Sequence, residues 1–120
     1  GDAAVIRVNW DIEECVALID LYRRCHGKAE KELKSELQYL SDCFHRRADA
    51  LGILHDAKFR NISGMYLIYQ NVVFIATDGQ QGMPNGSKRL REAYEMMQNS
   101  PEAFQHILES FYSAYGEAQA

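Results

Sequence analysis

No stretch of this chain is apolar for the roughly 18 residues that a bilayer crossing takes. Its first residues, Gly1-Asp2-Ala3-Ala4-Val5, lack the basic-then-apolar layout of a secretory signal. That start, without an initiator Met, reads as tag-derived on a domain cut from a longer protein, and a cytoplasmic origin is the default expectation. Cysteine is equally sparse. Cys15, Cys25 and Cys43 make an odd count with no C-x-x-C pair, which argues for buried reduced thiols and against a disulfide framework. A zinc site from Cys25-His26 and Cys43-x-His45 would fit no standard spacing.

Catalytic groupings are missing as well. His26, His45, His55 and His106 are scattered, and His55 beside Asp56 reads as a turn pair rather than a polarised base. Gly79-Gln80-Gln81-Gly82 lacks the Gly-Lys-Ser/Thr ending with which a phosphate loop neutralises its ligand. No Ser/His/Asp order and no nuclease-like carboxylate cluster with a lysine is present. The expectation is a non-catalytic chain with no cofactor and no metal.

What is present suffices for one domain with a real core: 120 residues, 47% of them hydrophobic. The net charge of −4 excludes a strongly basic nucleic-acid binder, but the charge is unevenly spread. Residues 1–39 carry six basic and eight acidic side chains, residues 40–91 seven and four, and residues 92–120 none and five. A mildly positive middle is therefore followed by a negative end, a pattern suited either to phosphates or to solvated helix faces.

Periodicity reads as helices throughout. Asp11 and Glu14 form a capping box, with Trp10 and Cys15 as a hydrophobic staple. Ile12, Cys15, Val16, Ile19 and Tyr22 then follow at helical spacing to a stop at Gly27. A second helix over about Ala29–Leu51 carries a seam of Leu33, Leu37, Leu40, Phe44, Ala48 and Leu51. Ser41 is a point where it could break into two, and Gly52 is its natural end. The run Met65–Ala76 has strand-like composition but no partner strand, and reads as a largely buried helix capped by Asn61 or Ser63. A Gly- and Gln-rich loop over 79–86 leads to a fourth helix from Ser87, and Asn99-Ser100-Pro101-Glu102 starts a fifth. The predicted fold is an all-α domain of five or six helices over residues 10–116. A disordered or tag-derived start over 1–9 and a frayed end over 117–120 flank it.

The segment Asp56–Tyr66 is the most informative. A polar connector with Lys58 and Arg60 runs into a capped apolar helix, which is how a helix-turn-helix presents its recognition helix. Trp10-x-x-Glu13-Glu14, Leu40-Ser41, Arg46 or Arg47, Ala48, Gly52-Ile53, Asp56-x-Lys58-Phe59-Arg60-Asn61-x-x-Gly64, Asn71 and Gly86-Ser87-Lys88 follow in an order that resembles a Myb- or helix-turn-helix-like helical domain. That domain is found beside HNH endonucleases and other effectors in bacterial restriction and mobile-element defence proteins. The resemblance spans roughly residues 10–112 and is most specific at Phe59-Arg60-Asn61-x-x-Gly64. It implies a DNA-associated accessory domain with catalysis elsewhere, and no HNH residues are present. Where the family pattern often has a basic residue on the third helix, this chain has Ile68, so Met65–Ala76 holds no cation.

Two functions follow as expectations. In a DNA-binding accessory module, Arg46, Arg47, Lys58, Arg60, Lys88 and Arg89 contact phosphates. Gln70 or Asn71 reaches bases, and Asn61 serves as a helix cap. For Arg60 the competing role is an ion pair with a carboxylate such as Asp56. In the alternative, a protein-interaction or oligomerisation module, the plentiful Tyr, Phe and Met supply an exposed apolar patch. The discriminating feature is whether those six cations share one face.

Overall fold

A computed structural model describes residues 7–117. The expected loose start over 1–9 lies mostly outside them, and the expected frayed end over 117–120 almost wholly so. Among the described residues there are five α-helices and no strand. None is long and apolar enough to cross a membrane.

Helix α1 (Ile12–Cys25) is the core of the molecule. Its capping box forms as the sequence dictates: the Glu14 N–H donates to Asp11 Oδ1 at 3.1 Å and the Asp11 N–H to Glu14 Oε1 at 3.2 Å. Every residue from Glu14 to Leu21 is buried, because α1 touches all four other helices. Buried Asp20 is satisfied by Arg23 Nε at 2.9 Å and Arg24 Nε at 2.8 Å. Periodicity marked one face of this helix; the fold covers almost all of it.

Helix α2 (Glu30–Leu51) is continuous, so the sixth helix does not form. Ser41 does not cap a new turn; its hydroxyl donates to the Arg60 carbonyl at 2.7 Å instead. Leu33, Leu37, Leu40, Phe44 and Ala48 are buried as the seam predicts, whereas Leu51 is exposed. Gly52 ends the helix in the left-handed region at φ +68°.

Helix α3 (Ile62–Ala76) takes Asn61 rather than Ser63 as its cap, with the Gly64 N–H donating to Asn61 Oδ1 at 2.9 Å. The expectation of a largely buried helix needs correction. Only Met65, Tyr69 and Val72, one line at steps of four and three, are buried, and Leu67 is half exposed. The physical reason is that α1, α2 and α4 cover a single face, and part of the remainder is shielded only by the loop over 77–86. That loop lies along α3: the Met83 N–H donates to the Gln70 carbonyl at 3.0 Å, and the Thr77 side chain bonds to both Val73 and Gln81. Gly82 (φ +81°) is needed there, since a Cβ would lie 2.4 Å from the Gln70 carbonyl oxygen.

Helices α4 (Lys88–Asn99) and α5 (Pro101–Tyr115) form the C-terminal part of the fold. Ser87 caps α4 by accepting the Leu90 N–H at 3.1 Å. Ser100, expected to cap α5, makes no side-chain bond to it. With α4 and α5 sharing this single joint residue, its N–H instead closes α4 on Met96 at 2.8 Å. Leu90 and Ala93 of α4 and Phe104, Leu108 and Phe111 of α5 complete the core.

Candidate nucleic-acid interface

The predicted cations separate into tied and free groups. Helix α2 brings Arg47 against the acidic first turn of α1, where it is 9% exposed. There its Nη2 lies 2.6 Å from Asp11 Oδ2 and its Nε 2.9 Å from Glu13 Oε2. Arg60 enters from the turn before α3. Its Nε lies 2.6 Å from Glu14 Oε2 and its Nη2 3.0 Å from Glu14 Oε1, so its carboxylate partner is Glu14 and not Asp56. The same guanidinium sits 4.8 Å from the Trp10 ring centre and 4.5 Å from that of Phe59. Arg46 is exposed, but its Nε donates to the Tyr115 carbonyl at 2.8 Å, closing the C-terminus of α5. These three arginines are structural ties.

The most specific part of the resemblance is thereby accounted for in local terms. Phe59 is buried against His45 and His55, with ring centres 5.5 and 4.8 Å away. Arg60 clips to α1, and Asn61 caps α3. Arg60 does this at φ +46°, a left-handed conformation that a non-glycine residue holds only when its surroundings fix it. His45 Nε2 donates to the Phe59 carbonyl at 2.6 Å and His55 Nε2 to Asp49 Oδ1 at 2.9 Å. His55 is thus a partner of Asp49 on α2 rather than of the Asp56 side chain. Its pKa is raised by the Asp49 hydrogen bond, against the opposing effect of desolvation.

Lys58, Lys88 and Arg89 differ from these. All three are exposed. Lys58 and Lys88 make no ion pair among the described residues, and Arg89 makes only a loose one at 3.5 Å to exposed Glu92. They border two adjoining hollows, of about 600 and 440 Å³, which share Val8, Trp10 and Ile68. The larger is walled by Asn9, Asn71, Asn85, Ser87, Lys88 and Arg89, the smaller by Lys58, Asn61, Gly64 and Leu67. Together they make one groove between the segment before α1, the outer side of α3 and the start of α4. Asn61 and Ser87, the N-cap residues of α3 and α4, both stand in its walls. Asp56 and Glu92 are the carboxylates at its edges. Val8 and Asn9 are groove residues that sequence reasoning missed, because nothing in their own composition marks them.

Neither expected base reader stands free on a common face. Asn71 Nδ2 donates to the Met83 and Pro84 carbonyls at 2.9 and 3.0 Å, so its amide hydrogens hold the loop. Gln70 lies in a different hollow, with Tyr22, His26 and Gln81. Cys15 lies at the base of the larger hollow, and burial, assisted by the nearby Glu14 charge, pushes its thiol up to about 12. All three cysteines are buried free thiols. No family model, no curated protein and no solved structure matches the chain.

Proposed function

We propose that this chain is a non-catalytic nucleic-acid-binding accessory domain whose contacts are mainly to phosphates. One observation carries the reading: the exposed cations Lys58, Lys88 and Arg89 border two adjoining hollows that share a wall of Val8, Trp10 and Ile68, on a chain that is acidic as a whole. Cations and backbone N–H groups at helix starts are the usual phosphate contacts of DNA-binding domains. Such contacts set affinity without reading sequence. Major-groove readout by α3 as a recognition helix is not part of the proposal, since Gln70 lies in a different hollow and the Asn71 amide hydrogens hold the loop. The resemblance to accessory domains of bacterial restriction and defence proteins is compatible with this reading, and membership of that group is likewise a proposal.

The test is fluorescence anisotropy with a labelled random duplex at two salt concentrations, for the native chain and Lys58→Glu/Lys88→Glu/Arg89→Glu. Binding that weakens with salt and is lost in the variant supports the proposal. Absence of binding at low salt refutes it.

One observation favours a second reading, a protein-interaction module. Leu51 and Leu54, close in sequence at the end of α2 and the turn after it, are 52% and 76% exposed. Exposed leucines of this kind suit a partner surface. Leu54→Ser would then abolish a protein contact while leaving nucleic-acid binding intact.

A further inference from the structure

The larger hollow has a chemistry that phosphate binding alone does not require. We infer that it seats one nucleotide unit of a single strand, with the base against Trp10 and Ile68 and the phosphate on Lys88 and Arg89. This inference rests on the phosphate reading above and deepens it.

Its volume, about 600 Å³, falls in the range of small-molecule sites. Its wall brings together three carboxamides from three separate segments: Asn9 before α1, Asn71 on α3 and Asn85 in the loop before α4. The Asn71 amide has a settled orientation, because its Nδ2 donates to two loop carbonyls, leaving Oδ1 as a fixed acceptor. The Asn9 and Asn85 side-chain amides make no hydrogen bond among the described residues, so each offers a donor and an acceptor. Asn85 holds φ +74°, a conformation that asparagine tolerates better than other non-glycine residues. Donor–acceptor amides of this kind match the edge of a nucleobase.

The part of Trp10 left open beside the Arg60 guanidinium, together with Ile68, supplies the apolar surface against which a base of any identity packs. A base paired in a duplex shows only its groove edges, so a concave seat of this kind selects an unpaired or extruded base. The neighbouring hollow, across Trp10, Val8 and Ile68, adds exposed Lys58 as a further cation for a strand that continues beyond the seat.

Trp10 is the single tryptophan, so its emission reports on the seat directly. The experiment titrates the whole chain with oligo(dT), with the same strand carrying abasic sites, with a random duplex and with polyglutamate. Oligo(dT) is expected to quench Trp10 and to bind roughly tenfold more tightly than the abasic strand. Asn9→Ala/Asn85→Gly, in which glycine keeps the positive φ, is expected to remove that preference. The same variant should leave the melting temperature unchanged.

Equal binding of abasic and base-bearing strands without quenching, while duplex still binds, overturns the seat and leaves the phosphate reading standing. Absence of binding by every nucleic acid at low salt overturns both. Polyglutamate that quenches Trp10 and displaces oligo(dT) at equal charge assigns the groove to acidic peptides and overturns the seat.

Discussion

Arg60 holds both carboxylate oxygens of Glu14, at 2.6 and 3.0 Å, with Glu14 only 2% exposed. The same carboxylate accepts the Asp11 N–H in the capping box, so one buried group fixes the start of α1 and the turn before α3. Breaking a buried pair from one side leaves an uncompensated charge, so Arg60→Met is expected to cost about 3–5 kcal/mol. Because the two partners are coupled, Glu14→Gln/Arg60→Met should cost clearly less than the two single changes added together. Urea denaturation of the four proteins of the cycle checks both statements.

His55 and Asp49 make the next prediction, on pH. The folded-state pKa of His55 lies above its ordinary value because Asp49 accepts its hydrogen bond. A raised histidine value stabilises the fold fully below the unfolded pKa, and the contribution fades as pH rises through the folded one. Thermal melts should therefore show Asp49→Asn lowering the midpoint at pH 5 and having little effect at pH 8. A loss that grows toward pH 8 contradicts the pairing.

The resemblance to a helix-turn-helix presentation and the all-α reading came from different kinds of signal. Capping residues, seams and stops act within one turn of chain, so Asp11, Asn61, Ser87 and Gly52 were legible and stand at the ends they marked. Charge could be counted in the sequence but not allocated. Arg47 and Arg60 reach carboxylates 34 and 46 residues away, and no local pattern announces such pairs. Apolar composition likewise overstated the burial of α3, because coverage depends on which neighbours the fold supplies. The groove was invisible for the same reason: Val8, Asn71 and Lys88 meet only in three dimensions.

Gly82 gives a prediction about the loop that walls the groove. Its φ is +81°, and a Cβ there would lie 2.4 Å from the Gln70 carbonyl oxygen and 2.6 Å from the Phe74 nitrogen. Gly82→Ala therefore meets backbone that cannot move aside. The expected loss is about 2 kcal/mol or more, read by urea denaturation. Gly27→Ala, with an open surrounding at φ +85°, should cost less, about 1 kcal/mol.

Cys15 predicts slow thiol chemistry. With its pKa pushed up to about 12 by burial, it stays protonated at neutral pH, and thiolate is the reactive form. A disulfide reagent such as DTNB should label Cys15 far more slowly in the folded chain than in urea, where all three thiols react together. Mass spectrometry after a short pulse identifies the site.

The measurement that bears most directly on the central claim is the salt dependence of duplex binding in three proteins. These are the native chain, Lys58→Gln/Lys88→Gln/Arg89→Gln, and the control Lys28→Gln/Lys31→Gln/Lys34→Gln, whose exposed lysines lie at the start of α2 and the turn before it. If the groove carries the phosphate contacts, the groove variant loses about one unit of log–log salt slope for each cation removed, while the control keeps the native slope. Equal losses in both variants, or a native chain that fails to bind at low salt, would contradict the account.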